Sequence, residues 1–436
     1  MINDNFYRRK YVVGSIAVMI VLTYIVRLFL LQVIDQSTQE KAANNAQLRQ
    51  TLYPSRGLIY DRKGELLVAN QPIYEITVIV REMMQEHFDT IGFCNALHIT
   101  SNDFAMRMQE MSDRRKNRGF SRYTPQIFMQ NLSQEDIAQL QQEQYKYPGI
   151  DIRIRTLRDY TYPIASHVLG NVGEVNYNDI ESDNYYAVGD YSGRDGIERT
   201  YEKELRGKKG VEVYMRDSRG RIQGSYQNGL LDRPAEAGTD LHLSIDRATQ
   251  QLAEQLMQNK VGSIVAIEPS TGEILCMVSA PTFNPELMLG RQRGKNHKML
   301  QQDKKKPLLN RAIMGTYPPG STFKTAQGLT FLHEGIVNEN TTLYPCSGGF
   351  NYRNLRVGCH AHSSPVSLIP AIATSCNSYF CWGLFRMIGD DKYNSVQNAL
   401  TVWKDHMVSQ GFGYRLGVDL PGEQRGFIPN AQFYDR

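Results

Sequence analysis

The sequence predicts an α+β protein carried on an N-terminal transmembrane helix, and three observations support that prediction. An apolar run from Tyr11 to Ile34 contains a single charge, Arg27, and about 20 mostly apolar residues suffice to cross a bilayer. Residues 35–235 mix short alternating strands with polar helical stretches, the pattern of an elongated mixed α/β unit. Between Leu241 and Ala280 the order is strand, helix, hairpin, so that a helix covers an antiparallel sheet. At 436 residues, 41% hydrophobic and 22% charged, the chain is a folded protein of two or three domains. Its net charge of +4 is too small to argue for a nucleic-acid partner. The basic run Lys304-Lys305-Lys306 has no interleaved aromatic residue and reads as a solvated loop.

Arg8, Arg9 and Lys10 stand just before the apolar run. By the positive-inside rule they place residues 1–10 in the cytoplasm, residues 11–34 in the membrane and the rest of the chain on the exported side. Arg27 falls in the last third of the span, where a long side chain can snorkel to the interface. A cleaved signal peptide would need a shorter apolar core and a small-residue cleavage site. The reading is therefore an uncleaved single-pass anchor.

Beyond the anchor, "STQEKAANNAQLRQ" is polar and helix-favouring, suited to a stalk. "YPSRGLIYDRKGELLVANQPIYEITVIV" alternates as strands, with a turn at Asp61 to Gly64. From Arg81 to Tyr145 the pattern is helical, and Ser133 with Asp136 forms a capping box. Residues 150–235 return to short strands, with one amphipathic helix near Ile197 to Leu205. "PAEAG" punctuates the chain before "LHLSI", a strand, and Asp246 caps the helix "RATQQLAEQLMQNK". A hairpin turning at Pro269 to Glu273 follows. This divides the exported part into a pedestal at 35–235 and a second domain at 236–436.

The chemistry centres on "GTYPPGSTFKTAQGL". The Pro-Pro-Gly bend delivers Ser321 to a helix start, and Lys324 lies three residues on, on the same helix face. A serine needs a base to become a nucleophile, and a lysine serves as one only when its pKa is pulled down from about 10.4 toward 7. The first turn also offers free backbone N–H groups for an oxyanion. Ser-x-x-Lys alone arises by chance in long chains. Here "ATSCNSYF" follows, giving the triplet Ser375-Cys376-Asn377: a hydroxyl able to relay a proton and an amide able to bind a substrate carbonyl.

Four stretches in order, "SRGLIYDRKGELLVAN", "GRDGIERTYEKELRGKKG", "IEPSTGEILCMVSAPTFNPE" and "YPPGSTFK", resemble those of class B penicillin-binding proteins. The tyrosine before the Pro-Pro-Gly bend and the "LPGE" near residue 420 are most like the elongation-specific penicillin-binding protein 2 branch. The resemblance covers nearly the whole chain. It implies a peptidoglycan D,D-transpeptidase of the bacterial inner membrane, with its catalytic domain on the periplasmic side. Such an enzyme cross-links stem peptides through a serine acyl-enzyme during wall elongation and shape maintenance, and it is acylated by β-lactams. It implies Ser321, Lys324, Ser375 and Asn377 as catalytic residues, no cofactor for acyl transfer, and RodA-like SEDS glycosyltransferase and MreC-like partners. One departure stands out: the family's third motif, K-T-G or K-S-G, does not follow Asn377, so residues 236–436 read as the N-terminal part of the transpeptidase domain only. Two other readings share parts of the pattern. A class D-like β-lactamase also carries S-T-F-K but not a long pedestal and anchor, and a non-catalytic β-lactam sensor or scaffold would not need the third motif.

The cysteines pose a separate question. Cys94 stands alone, and Cys276 sits in the apolar run "ILCMVS" as a buried residue. "CSGGFNYRNLRVGCHAH" sets Cys346 and Cys359 beside His360 and His362, and Cys376 lies inside the Ser-x-Asn triplet. Cys346, Cys359, His362 and Cys376 form a four-ligand set suited to tetrahedral structural zinc, the C-x-x-H spacing favouring His362 over His360. A Cys346–Cys359 disulfide, which an oxidising compartment favours, is the alternative. Cys376 and Cys381 can also be simply small buried side chains.

Overall fold

Caps and tight turns fix where the elements begin and end. The computed structural model describes residues 4–29, 47–85, 88–113, 115, 120–216, 222–290 and 292–434. Helix α1 (Asp4–Phe29) contains the apolar segment Lys10–Phe29, long and apolar enough to cross a membrane, and its side chains from Lys10 onward are exposed. One such N-terminal helix fits a single-pass anchor. The last residues of the expected span, 30–34, and most of the stalk lie outside the described residues.

The pedestal sheet is built on β3 (Leu66–Val78), which pairs antiparallel with β2 (Ile59–Tyr60), β4 (Gln126–Leu132) and β5 (Ile150–Tyr160). The turn into β3 is the expected one. Asp61 accepts from the Lys63 and Glu65 N–H groups, and Gly64 adopts φ +83°, a conformation glycine takes without steric cost. A second sheet joins β1 (Gln47–Leu52), β8 (Gly210–Arg216) and β9 (Ile222–Ser225), while β6 (Asn171–Glu174) and β7 (Tyr191–Asp195) form a hairpin. Helices α2 (Thr90–Ala96), α3 (Ser101–Ser112) and α4 (Gln134–Glu143) cover the far end of the first sheet around Phe93, Phe128, Ile137 and Leu140. The Ser133–Asp136 capping box is present at the start of α4.

Several elements differ from the sequence expectation. Gln47 to Gln50, read as stalk, belong to β1, because a partner strand outweighs the helical preference of Gln, Leu and Arg. Strand β4 interrupts the helical region, and β5 is an 11-residue strand rather than a short one. The single helix near Ile197 is two short turns, Gly196–Thr200 and Glu202–Leu205, broken at Tyr201. The strand "LHLSI" is reduced to β10 (Leu241–His242), which pairs parallel with β2 and so extends the pedestal sheet.

After β10, Asp246 caps α5 (Arg247–Leu256) through the Thr249 N–H. That helix packs on the antiparallel pair β11 (Gly262–Ile267) and β12 (Ile274–Ala280). The fully buried Gln250 amide bonds both the N–H and the C=O of Met277, so a side chain extends the ladder of β12. Four further helices, α6 (Phe323–His333), α7 (Leu368–Ala373), α8 (Asn377–Ile388) and α9 (Val396–Ser409), form a helical body around Phe331, Ala371, Phe380, Met387 and Trp403. A small hairpin of β13 (Gly349–Tyr352) and β14 (Leu355–Gly358) lies against α8.

A buried charge network ties two of the quoted sequence motifs together. Glu198, fully buried, receives Arg158 at 2.6 Å and Arg56 at 2.6 Å, and Arg56 also reaches Glu202 at 2.7 Å. Arg158 further donates to the Gly57 carbonyl and the Asn70 side chain. Burial raises the Glu198 pKa, but Arg158 and Arg56 outweigh it and hold the carboxyl below its ordinary range. Removing one partner of a buried pair leaves an uncompensated charge, a loss of about 3–5 kcal/mol. Glu198→Gln should therefore lower unfolding free energy by about that amount at neutral pH, measured by chemical denaturation. Because the folded pKa is depressed, the wild-type contribution is present above the unfolded carboxyl pKa of about 4.3 and fades as pH falls below it, whereas the variant lacks that acid-sensitive limb.

Candidate active site

Ser321 and Lys324 sit where the chain turns from the Pro-Pro-Gly bend into α6. Gly320 takes φ +61°, and Gly320–Thr322 forms a single 3₁₀ turn before the α-helix begins at Phe323. Ser321 is exposed and Lys324 is buried at 8% exposure, its stem packed in the helical body. The Lys324 ammonium donates to four oxygens: Asn377 Oδ1 at 2.6 Å, the Ser375 carbonyl at 2.7 Å, Ser375 Oγ at 2.9 Å and Ser321 Oγ at 3.3 Å. Ser375 Oγ also donates to Ser321 Oγ at 2.9 Å, closing a triangle of two hydroxyls and one amine. Burial pushes the Lys324 pKa below its ordinary value, against an opposing pull from the Cys359, Cys376 and Cys381 thiols.

The triplet reaches this amine because of how α7 ends. The Cys376 N–H bonds the Ala371 carbonyl and the Ser375 N–H bonds the Ile372 carbonyl, the two hydrogen bonds of a Schellman motif. Its left-handed position, usually glycine, is held by Ser375 at φ +56°. That choice costs roughly 1–2 kcal/mol and reverses the chain within two residues, so α8 starts at once with Asn377 aimed at Lys324. The Asn377 amide nitrogen donates to the Gly358 carbonyl at 2.7 Å, which settles which end of the amide faces the lysine. Sequence reasoning missed this Gly358 carbonyl, for which no residue type is a signal. Cys376 caps α8, accepting from the Tyr379 N–H.

All four expected metal-ligating residues come together on the other side of the same turn. The Sγ atoms of Cys346, Cys359 and Cys376 and one ring nitrogen of His362 lie within 4.8 Å of one another, while His360 is exposed and outside the group. None of the six cysteines is in a disulfide, and Cys94 and Cys276 are buried. The donor set fits a tetrahedral cation. His362 Nδ1 bonds the Ser363 carbonyl, as its proton dictates, while Nε2 is buried without a partner. Fixing one ring nitrogen on a carbonyl presents the other as a ligand. The Ser378 N–H points at Cys359 Sγ at 3.2 Å and stabilises negative sulfur.

Residues 51–243 match the penicillin-binding protein dimerisation domain, and residues 262–436 match the penicillin-binding protein transpeptidase domain. The chain is 33% identical over 417 residues to the peptidoglycan D,D-transpeptidase MrdA of Acinetobacter baumannii, an alignment covering 92% of this chain and 58% of that protein. It is 30% identical over 450 residues to MrdA of Escherichia coli strain K12, covering 98% of this chain and 66% of that one. The chain thus spans a little under two thirds of the length of these curated relatives. Among solved structures, the complex between penicillin-binding protein PBP2 and MreC from Helicobacter pylori shares the fold, with a TM-score of 0.74 at 24% identity over 90% of this chain and 71% of that one. With both domains matched in order from residue 51 to residue 436, the chain belongs to the penicillin-binding proteins that join a dimerisation domain to a transpeptidase domain.

Proposed function

We propose that this chain is a peptidoglycan D,D-transpeptidase working through a Ser321 acyl-enzyme, and the observation that carries the reading is the Lys324 amine within reach of both hydroxyls. In its neutral form Lys324 accepts the Ser321 proton as Oγ attacks the carbonyl of a D-Ala-D-Ala stem. The helix start at Ser321 offers a backbone N–H for the developing oxyanion. As the C–N bond breaks, Ser375 Oγ passes a proton from Lys324 to the leaving D-alanine amine. The ester then transfers to the amine of a neighbouring stem, which gives up its proton by the reverse route, and Ser321 is restored. A β-lactam ring opens on the same hydroxyl, but its leaving amine stays tethered. With its oxygen on Lys324 and one N–H on the Gly358 carbonyl, the Asn377 amide keeps its second N–H for the substrate carbonyl.

Residues 35–235 serve as pedestal and 236–436 as the transpeptidase part in this reading. The Arg8-Arg9-Lys10 cluster supports a cytoplasmic tail at 1–10 and an exported, periplasmic remainder. The likeness to a PBP2 solved with MreC supports an MreC-like partner, and a RodA-like SEDS polymerase at the inner membrane is proposed from the sequence motifs' resemblance alone. The Cys346, Cys359, His362 and Cys376 group is proposed to hold one structural zinc, since four protein ligands leave no position for a reacting water. The metal would brace the turn that presents Ser375 and Asn377.

Three measurements test this. Ser321→Ala should abolish covalent labelling by fluorescent penicillin while membrane insertion is unchanged; a labelled variant would exclude Ser321 as nucleophile. Lys324→Ala should slow acylation by about 10² or more. The wild-type rate should rise with pH along a limb whose midpoint lies below the usual lysine value of about 10.4, because the neutral amine is the active form. An unchanged rate in Lys324→Ala means another base serves the serine. Elemental analysis should find zinc in the purified chain, and chelation should lower the melting temperature and the acylation rate together. Loss on reduction, with indifference to chelators, would instead mark a Cys346–Cys359 disulfide.

A further inference from the structure

The hairpin of β13 and β14 carries a feature that acyl transfer does not use. Trp382 on α8 is surrounded by Tyr344, Phe350 and Tyr352 with ring centroids 4.4, 4.8 and 6.3 Å away, and Phe385 follows at 5.6 Å. Phe350 is buried and glues the hairpin to the helix. The other rings do not complete a core: Tyr344 is 67% exposed and Phe385 44% exposed. Contiguous exposed aromatic surface of this kind marks a binding face. Arg353, with its guanidinium 5.3 Å from the centre of the Tyr352 ring, is exposed at its edge and forms no ion pair among the described residues, while Arg356, paired with Asn351, lies on the other face of the hairpin. The surrounding sequence contains no Asp or Glu between Glu339 and Asp390. The face is thus aromatic and uniformly cationic.

We infer that this face is a docking platform for the glycan strand of an uncross-linked muropeptide, with sugar C–H faces on the rings and a stem carboxylate on Arg353. The inference rests on the transpeptidase reading for the identity of the substrate. Charge complementarity selects an anionic ligand, and flat apolar ring faces favour hexosamine rings. Reach agrees as well. Trp382 and Phe385 lie about 7.5 and 12 Å along α8 from Asn377, at 1.5 Å per residue. A stem of about four residues between the sugar and the scissile carbonyl spans at most about 13–14 Å. The platform is also coupled to the site, since the Gly358 carbonyl at the end of β14 holds the Asn377 amide.

The test titrates the detergent-solubilised chain with a purified disaccharide-tetrapeptide monomer, which is uncross-linked, ends in a free D-Ala carboxylate and so cannot acylate Ser321. Calorimetry should give at least tenfold weaker binding for Arg353→Glu and for Tyr344→Ala/Phe385→Ala, with Arg353→Lys recovering most of the affinity. Penicillin labelling should be unchanged in all three. Ligand should also shift the emission of Trp382, and Trp382→Phe should remove the shift while buried Trp403 stays silent. Equal affinity in wild type and charge-reversed chain, no binding by the wild type, or equally tight binding of sugar-free tetrapeptide would each overturn the platform. A chain that binds glycopeptide through these residues yet takes no penicillin label would instead sink the transpeptidase reading and leave the platform standing.

Discussion

Lys324 has to satisfy two opposed demands. Its pKa falls only if the amine is withdrawn from water, yet a withdrawn amine is costly unless its N–H groups find acceptors. The structure meets both by surrounding Nζ with two hydroxyls, one amide oxygen and one carbonyl, none of them charged. A carboxylate here would satisfy the N–H groups equally well but would raise the pKa and hold the proton. The neutral set permits proton loss, and the same four contacts fix the spacing of Ser321, Ser375 and Asn377 around one atom.

That spacing is bought with backbone strain at Ser375, whose left-handed conformation costs roughly 1–2 kcal/mol. A glycine would adopt it freely but would lose the hydroxyl that bonds both Lys324 and Ser321. The strain persists because its neighbours over-determine it. Ala371 and Tyr379, on either side of the turn, are buried in the helical body, and Cys376 caps α8 while facing the Cys/His group. Three constraints thus converge on one two-residue reversal: helix packing, the Schellman hydrogen bonds and the sulfur cluster.

Local chemistry was the legible part of the sequence. The capping box at Ser133, the Asp246 cap and the Asp61–Gly64 turn each follow from side chains acting on backbone within four residues, and each is present. The spacing of Ser321 and Lys324 was legible for the same reason. Strand β4 and the strand character of Gln47 to Gln50 were not, because their hydrogen-bond partners lie far away in sequence. The Gly358 carbonyl was invisible in principle: a backbone acceptor carries no residue signature. The cysteine and histidine spacing indicated the four-residue set with Cys376 in it, and the fold brings Cys376, 17 positions after Cys359, within 4.8 Å of the other three.

The two halves of the chain beyond α1 are not independent bodies joined by a linker. One core contains Ile59, Val68 and Leu169 of the pedestal together with Ile245, Met277, Ile313 and Leu420 from beyond it. Polar contacts run along the same seam: Glu254 accepts from the Ala165 N–H at 2.6 Å, His167 meets the Pro307 carbonyl at 2.7 Å, and Tyr201 donates to Asp419 at 2.8 Å. The ion pairs of Arg62 with Glu268 and Glu273 lie at the exposed rim, where such pairs contribute about 0–1 kcal/mol at most. Burying one large aliphatic side chain contributes about 1.5–3 kcal/mol, so the shared apolar core, not the rim, decides whether the halves separate. Displacing the pedestal relative to β12 would expose that core. A force applied to the pedestal is therefore carried into the β11–β12 pair and α5 through packed side chains rather than through the linker.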